Sequence, residues 1–177
     1  MNKNELRKLI KNKRSEMHAC KLTDKISQKI VKHIKNSDIF CKSKNIALYY
    51  PIKGEIDLRK LLSVADKTYY FPKCKDNNLI FAKYDGQFVT GKYLIPETTG
   101  DYIDVSELDI MYIPALCCNK KCYRLGWGKG FYDRFFMENK ISAKKIIVCP
   151  QCFVTDEFIE DEFDYQCDNI LTEDGLI

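Results

Sequence analysis

The sequence predicts an α/β fold, a single-domain three-layer α/β/α sandwich around a mixed, largely parallel sheet. Three observations predict it. Helix-period apolar spacing alternates along the chain with short apolar runs, the pattern that successive α and β elements leave in a sequence. Most of those runs are rich in Ile, Val, Leu and Tyr, and several stop at proline. At 177 residues, 45% hydrophobic and 31% charged, the chain suits one domain over 1–177 whose core needs no disulfide or metal.

Each element has its own signal. Leu6, Leu9, Ile10 and Met17 recur at helical spacing among lysines, arginines and glutamates, which predicts an amphipathic helix over 3–18. Thr23-Asp24 then precedes a second helix carrying Ile26, Ile30, Val31 and Ile34, and Asn36-Ser37 ends it. Residues 45–50 read as a buried strand closed by Pro51, and a short helix over 58–64 follows the Lys53-Gly54 turn. Further strands are predicted over 68–72, 79–84, 109–113, 145–149 and 169–172. The 79–84 run stands close behind a Lys75-Asp76-Asn77-Asn78 turn and suits the returning arm of an antiparallel hairpin. A last helix is predicted over 131–138.

Composition narrows the function classes. The net charge of +4 comes mostly from the first 44 residues and suits anionic small molecules as readily as nucleic acid. That basic segment lacks the interleaved aromatics on which bases would stack, so nucleic acid is not expected as a partner. The apolar runs fall far short of a membrane span, and no apolar stretch follows the charged N-terminus. Nine cysteines without a secretion signal predict free thiols in a reducing cytoplasm. Cys117, Cys118 and Cys122 lie upstream of Cys149-Pro150-Gln151-Cys152, so zinc or redox spacing stays open beside the reading of Cys149 as a small buried hydrophobe.

The strongest chemical signal is Arg124-Leu125-Gly126-Trp127-Gly128-Lys129-Gly130-Phe131-Tyr132-Asp133. Alternate glycines permit positive φ and close approach of a ligand to the backbone. Successive N–H groups in such a turn form an anion nest, which Arg124 and Lys129 would reinforce. Asp133 stands where a hard divalent cation could bridge to bound phosphates. The spacing is neither the P-loop nor the dinucleotide fingerprint. Lys3 and Arg7, at i and i+4, share a helix face that a solvated surface would equally explain. Glu55 could meet an amine-bearing ligand, while Asp57 suits capping of the 58–64 helix. Among the aromatics, Trp127 alone is held in a glycine loop, free to stack on a flat heterocycle.

Taken in order, Lys3-x₃-Arg7, Tyr50-Pro51-x₃-Glu55, Phe71-Pro72-Lys73, Ile95-Pro96-Glu97, Ile113-Pro114, the glycine block, Gln151 and Asp168 resemble the 5-formyltetrahydrofolate cyclo-ligase family. The resemblance spans nearly the whole chain, and the glycine block is its most specific part. It implies ATP-dependent conversion of 5-formyltetrahydrofolate to 5,10-methenyltetrahydrofolate through a phosphorylated formyl intermediate, releasing ADP and phosphate. It also implies that Lys3 and Arg7 bind ATP phosphates together with Arg124, Gly126, Gly128, Lys129, Gly130 and Tyr132. Arg124, Lys129 and Tyr132 become the catalytic candidates. Glu55, Trp127, Gly128, Lys129, Gly130 and Phe131 would contact the folate, and Asp133 and Asp168 would hold Mg²⁺. A cytoplasmic monomer is expected, and a catalytically inactive nucleotide-binding module of the same fold is the alternative.

Overall fold

A computed structural model describes residues 1–52, 54–76 and 78–177, so Lys53 and Asn77, in two of the expected turns, lie outside the described residues. The chain begins with α1 (Lys3–Ala19), α2 (Leu22–Lys35) and α3 (Asp38–Lys42). The start of α1 is fixed by a capping box. Asn2 Oδ1 accepts the backbone N–H of Asn4 and Glu5, while Glu5 Oε2 accepts that of Asn2 at 3.0 Å.

Next come β1 (Asn45–Ala47), a 3₁₀ turn over Arg59–Ser63, β2 (Thr68–Lys75) and β3 (Asn78–Lys83). Two short strands follow, β4 (Val89–Thr90) and β5 (Pro96–Glu97). After them stand β6 (Ile110–Pro114), β7 (Cys117–Cys118), β8 (Arg124–Leu125) and α4 (Phe131–Glu138). The chain closes with β9 (Lys144–Val148), β10 (Asn169–Thr172) and β11 (Gly175–Leu176).

The main sheet runs β11-β10-β9-β6-β1-β2-β3. From β10 to β2 every pairing is parallel; β11 and β3 close the two edges antiparallel. The β2–β3 hairpin is therefore the antiparallel arm that the sequence predicts. Period-two alternation along the strands sends Ala47, Met111, Ile113 and Ile147 to one face, under Leu6 and Ile10 of α1 and Phe135 and Phe136 of α4. Ile46, Ile110, Tyr112, Ile146 and Val148 point the other way, under Ile30 and Ile34 of α2 and Phe40 of α3. Each fully buried Leu or Ile in these layers contributes on the order of 1.5–3 kcal/mol of hydrophobic stabilisation. Helices on both faces of a mostly parallel sheet give the expected three layers.

Three expectations shift at the element level. The 58–64 helix is the shorter 3₁₀ turn, whose N-cap is Leu58 without a side-chain cap; Asp57, expected to cap it, stands one residue earlier, and its Oδ1 accepts the Arg59 N–H at 2.9 Å. The strand expected over 45–50 keeps ladder pairing only through Ala47, although Leu48 N–H still donates to Tyr70 O at 2.8 Å. The 68–72 strand extends three residues further, to Lys75, because β3 pairs with it over that length.

Candidate active site

A cleft of about 750 Å³ opens at the carboxyl ends of the parallel strands, where Tyr49 and Tyr50 leave β1 and Pro114 ends β6. Open α/β sheets gather ligands at this edge. Residues far apart in sequence meet there: Lys3 and Arg7 from α1, Glu55, Glu97, and the whole glycine loop from Arg124 to Arg134.

The loop is built by its glycines. Gly128 adopts φ +103°, and a Cβ there would lie 3.5 Å from the Arg7 guanidinium. Gly130, at φ +63°, is the residue from which α4 starts, and its carbonyl accepts the Arg134 N–H at 3.1 Å. Arg7 Nε donates to Gly126 O at 3.0 Å, so α1 is joined to a loop 119 residues away. The helix-face spacing of Lys3 and Arg7 thus reaches a site rather than solvent alone.

Arg124 enters from β8 only 4% exposed. Its Nη2 is 3.1 Å from Asp133 Oδ1 and its Nη1 donates to Asp133 Oδ2 at 3.4 Å, while its Nε is buried without a partner. The Tyr132 hydroxyl is also buried and unpartnered, and the Arg124 guanidinium lies 5.4 Å from its ring. Burial holds the Tyr132 phenol well above its ordinary range, with Arg124 opposing that shift. Native interiors leave few such groups unsatisfied, and both of these belong to residues that line the cleft. Among the described residues Lys129 Nζ forms no salt bridge; it rests 3.7 Å over the Tyr93 ring, which itself faces Phe131 at 6.0 Å.

Lys3 is held differently. Its ammonium contacts Asp161 Oδ2 at 2.6 Å and also Asp164. Burial works to lower its pKa, and hydrogen bonds to Asp161 and Asp164 outweigh that effect and raise it. Glu55 is 7% exposed, and both its oxygens are in use. Ile52 N–H donates to Oε2 at 3.0 Å and Trp127 Nε1–H to Oε1 at 2.8 Å. Burial raises the Glu55 pKa, against the pull of those two donors and of Arg14. Trp127 keeps 37% of its surface exposed, with Lys11 Nζ 4.8 Å from its ring.

The two carboxylates expected to hold Mg²⁺, Asp133 and Asp168, are engaged differently. Asp168 lines no part of the cleft; its Oδ2 accepts the Lys145 N–H at 2.6 Å and lies 3.4 Å from Lys145 Nζ. Lys145 lies near the start of β9 and Asp168 just precedes β10, while burial raises the pKa of the Cys167 thiol and Asp168 and Asp133 both push it up further. Asp133 does line the cleft, engaged by Arg124 and by the Tyr165 N–H at 3.3 Å. Among the described residues no group of three or more His, Cys, Asp or Glu is placed to hold a metal. Cys149 packs inside the hydrophobic core, as the alternative to a zinc or redox role anticipates.

Sequence reasoning assigned no role to Tyr93, Glu97, Asp161 or Asp164, all cleft-lining. Ile95-Pro96-Glu97 was visible as a segment, but no spacing tied it to the glycine block.

The sequence profile of the 5-formyltetrahydrofolate cyclo-ligase family matches residues 1–173. A 5-formyltetrahydrofolate cyclo-ligase of Mycoplasma genitalium is 31% identical over 178 residues, covering 97% of this chain and 98% of that protein. The Mycoplasma pneumoniae protein of the same name is 32% identical, covering 98% and 100%. The solution structure of Aquifex aeolicus 5,10-methenyltetrahydrofolate synthetase superposes with a TM-score of 0.87 at 30% identity, covering 98% of this chain and 91% of that one. The chain belongs to the 5-formyltetrahydrofolate cyclo-ligase family.

Proposed function

We propose that the protein cyclises 5-formyltetrahydrofolate to 5,10-methenyltetrahydrofolate at the expense of Mg·ATP, releasing ADP and phosphate. The whole chain, 1–177, would be the catalytic unit, acting as a cytoplasmic monomer. The observation that carries this reading is the joining of α1 to the glycine loop through Arg7 and Gly126 O, which puts Lys3, Arg7, Arg124 and Lys129 around one cleft. Family membership supplies the reaction class.

The chemistry follows from what a formamide lacks. Its oxygen leaves poorly, so the γ-phosphoryl of ATP is transferred to it: the new O–P bond forms as the bond to the β-phosphate oxygen breaks. Nitrogen 10 then attacks the formyl carbon and loses its proton, and the carbon–oxygen bond breaks as phosphate departs. Atoms balance without a protein nucleophile. In such a transfer the protein contributes position and fixed charge. Lys129, held over Tyr93 and without a salt bridge among the described residues, would be the cation for the transferring group. The orphaned Arg124 Nε and the Tyr132 hydroxyl are donors poised for phosphate oxygens. Lys3 and Arg7 would hold the triphosphate from α1. Glu55 fixes Trp127 through the indole N–H, and the 127–131 stretch would face the folate.

Bound with the nucleotide, Mg²⁺ would supply charge neutralisation at the phosphates. Asp133, which lines the cleft, and Asp168 would be its protein ligands, with phosphate oxygens and waters filling the other positions. The test is direct. Protein, Mg·ATP and 5-formyltetrahydrofolate are mixed and the near-ultraviolet absorbance of the methenyl product is followed. Product formation that needs both ATP and Mg²⁺ supports the reading; no product at micromolar enzyme ends it.

A further inference from the structure

The cleft holds two buried carboxylates, and only one is satisfied. Both oxygens of Glu55 accept short hydrogen bonds. Glu97 is equally hidden, at 7% exposure, yet among the described residues its one side-chain hydrogen bond is a long 3.5 Å contact from the Cys74 N–H to Oε1. No salt bridge reaches it among the described residues, although Lys92 and Lys129 line the same cleft. An ionised carboxylate offers about four acceptor positions, and leaving them unmet under burial is costly.

The surrounding chain is shaped to keep this carboxylate in place. Glu97 ends the β4–β5 hairpin, opposite Val89, and Gly91 N–H donates to Ile95 O at 3.0 Å across the turn. A Cβ on Gly91 would fall 2.3 Å from Glu97 Cγ and Cδ, so the glutamate arm lies over the bare Cα of a glycine. The hairpin thus spends a glycine on seating an acid whose hydrogen bonding the protein leaves incomplete.

Of the two ligands in the proposed reaction, one has the matching edge. The 2-amino-4-oxopyrimidine ring of a reduced folate presents a ring N–H and an exocyclic amine side by side, both donors, at the spacing of two carboxylate oxygens. Adenine sets one amine beside an acceptor nitrogen, which would face an oxygen lone pair. Phosphate would be repelled. Resting on the cyclo-ligase reading, we propose that Glu97 binds the donor edge of the folate pyrimidine ring and sets the orientation of the pterin in the cleft.

Titration of the full-length protein, followed by Trp127 fluorescence, tests this with 5-formyltetrahydrofolate and ATP added separately to wild type and Glu97→Gln. Glu97→Gln keeps the shape and replaces an acceptor with a donor. Folate binding should weaken tenfold or more, about the loss of one charge-assisted pair, with ATP binding within about twofold of wild type. A 2-desamino analogue should bind wild type about tenfold more weakly than its parent, and the variant should no longer tell the two apart. Unchanged folate affinity in Glu97→Gln, or a loss confined to ATP, overturns the proposal. If the melting temperature shows the variant misfolded, the analogue decides on wild type alone: equal binding of parent and analogue overturns it. Wild type that binds no folate defeats the cyclo-ligase reading itself, a separate outcome.

Discussion

Arg14 and Arg124 are buried to nearly the same extent, at 2% and 4% exposure, and the molecule treats them in opposite ways. Arg14 is fully occupied by backbone carbonyls. Its Nε donates to Leu116 O at 3.1 Å, Nη1 to Gly54 O at 2.7 Å, and Nη2 to Ala115 O at 2.6 Å and Leu116 O at 2.8 Å. It bolts α1 to the chain leaving β6. Arg124 has one partner, Asp133, and an orphaned Nε in the cleft. Burial alone therefore does not identify a functional cation. Incomplete hydrogen bonding does, because folding is expected to satisfy buried donors unless a ligand is to supply the partner.

The largest effect expected on the functional side of that comparison is at Lys129. Lys129→Ala should lower kcat/KM by about a thousandfold while leaving the melting temperature nearly unchanged, since its ammonium touches only the Tyr93 ring. Steady-state kinetics with a thermal melt measures both, and near-wild-type turnover would remove Lys129 from the catalytic set. On the structural side, Arg14→Gln orphans three buried carbonyls and should cost about 3 kcal/mol in urea unfolding. A loss under about 1 kcal/mol would mean that those carbonyls find other partners.

A smaller effect sharpens the contrast between satisfied and unsatisfied groups inside the cleft. Glu55 has a raised pKa, so the folded chain holds its proton more tightly than the unfolded chain does. That contribution is complete below the ordinary glutamate range and is lost as pH climbs through the folded value. Wild type should accordingly lose stability relative to Glu55→Gln as pH rises from the ordinary glutamate range upward, read from unfolding curves taken across that rise. A difference that stays flat, or that favours wild type as pH rises, contradicts the assignment.

The frame of the fold was legible because its elements are long enough to show a period. Leu6 and Ile10, then Ile26, Ile30 and Ile34, mark one face of α1 and α2, and the Ile-Ile-Val run of β9 marks a strand buried on both sides. What escaped has no period to show. α3 has five residues, and β4, β5, β7, β8 and β11 have two each; tertiary context forms them. The site divides similarly. The glycine block declared itself through residue types in a short window. Tyr93 and Glu97 arrive from a separate hairpin, and only folding brings them to Lys129 and the cleft.

The central claim is that an unsatisfied buried arginine marks the nucleotide end of the cleft. It is tested most directly by calorimetric titration of Mg·ATP into wild type, Arg124→Gln and Arg14→Gln, each with its unfolding curve. Arg124→Gln should weaken ATP binding at least tenfold while costing no more than about 1 kcal/mol of stability, and Arg14→Gln should show the reverse order of effects. Wild-type affinity in Arg124→Gln, or a stability loss matching that of Arg14→Gln, would contradict it.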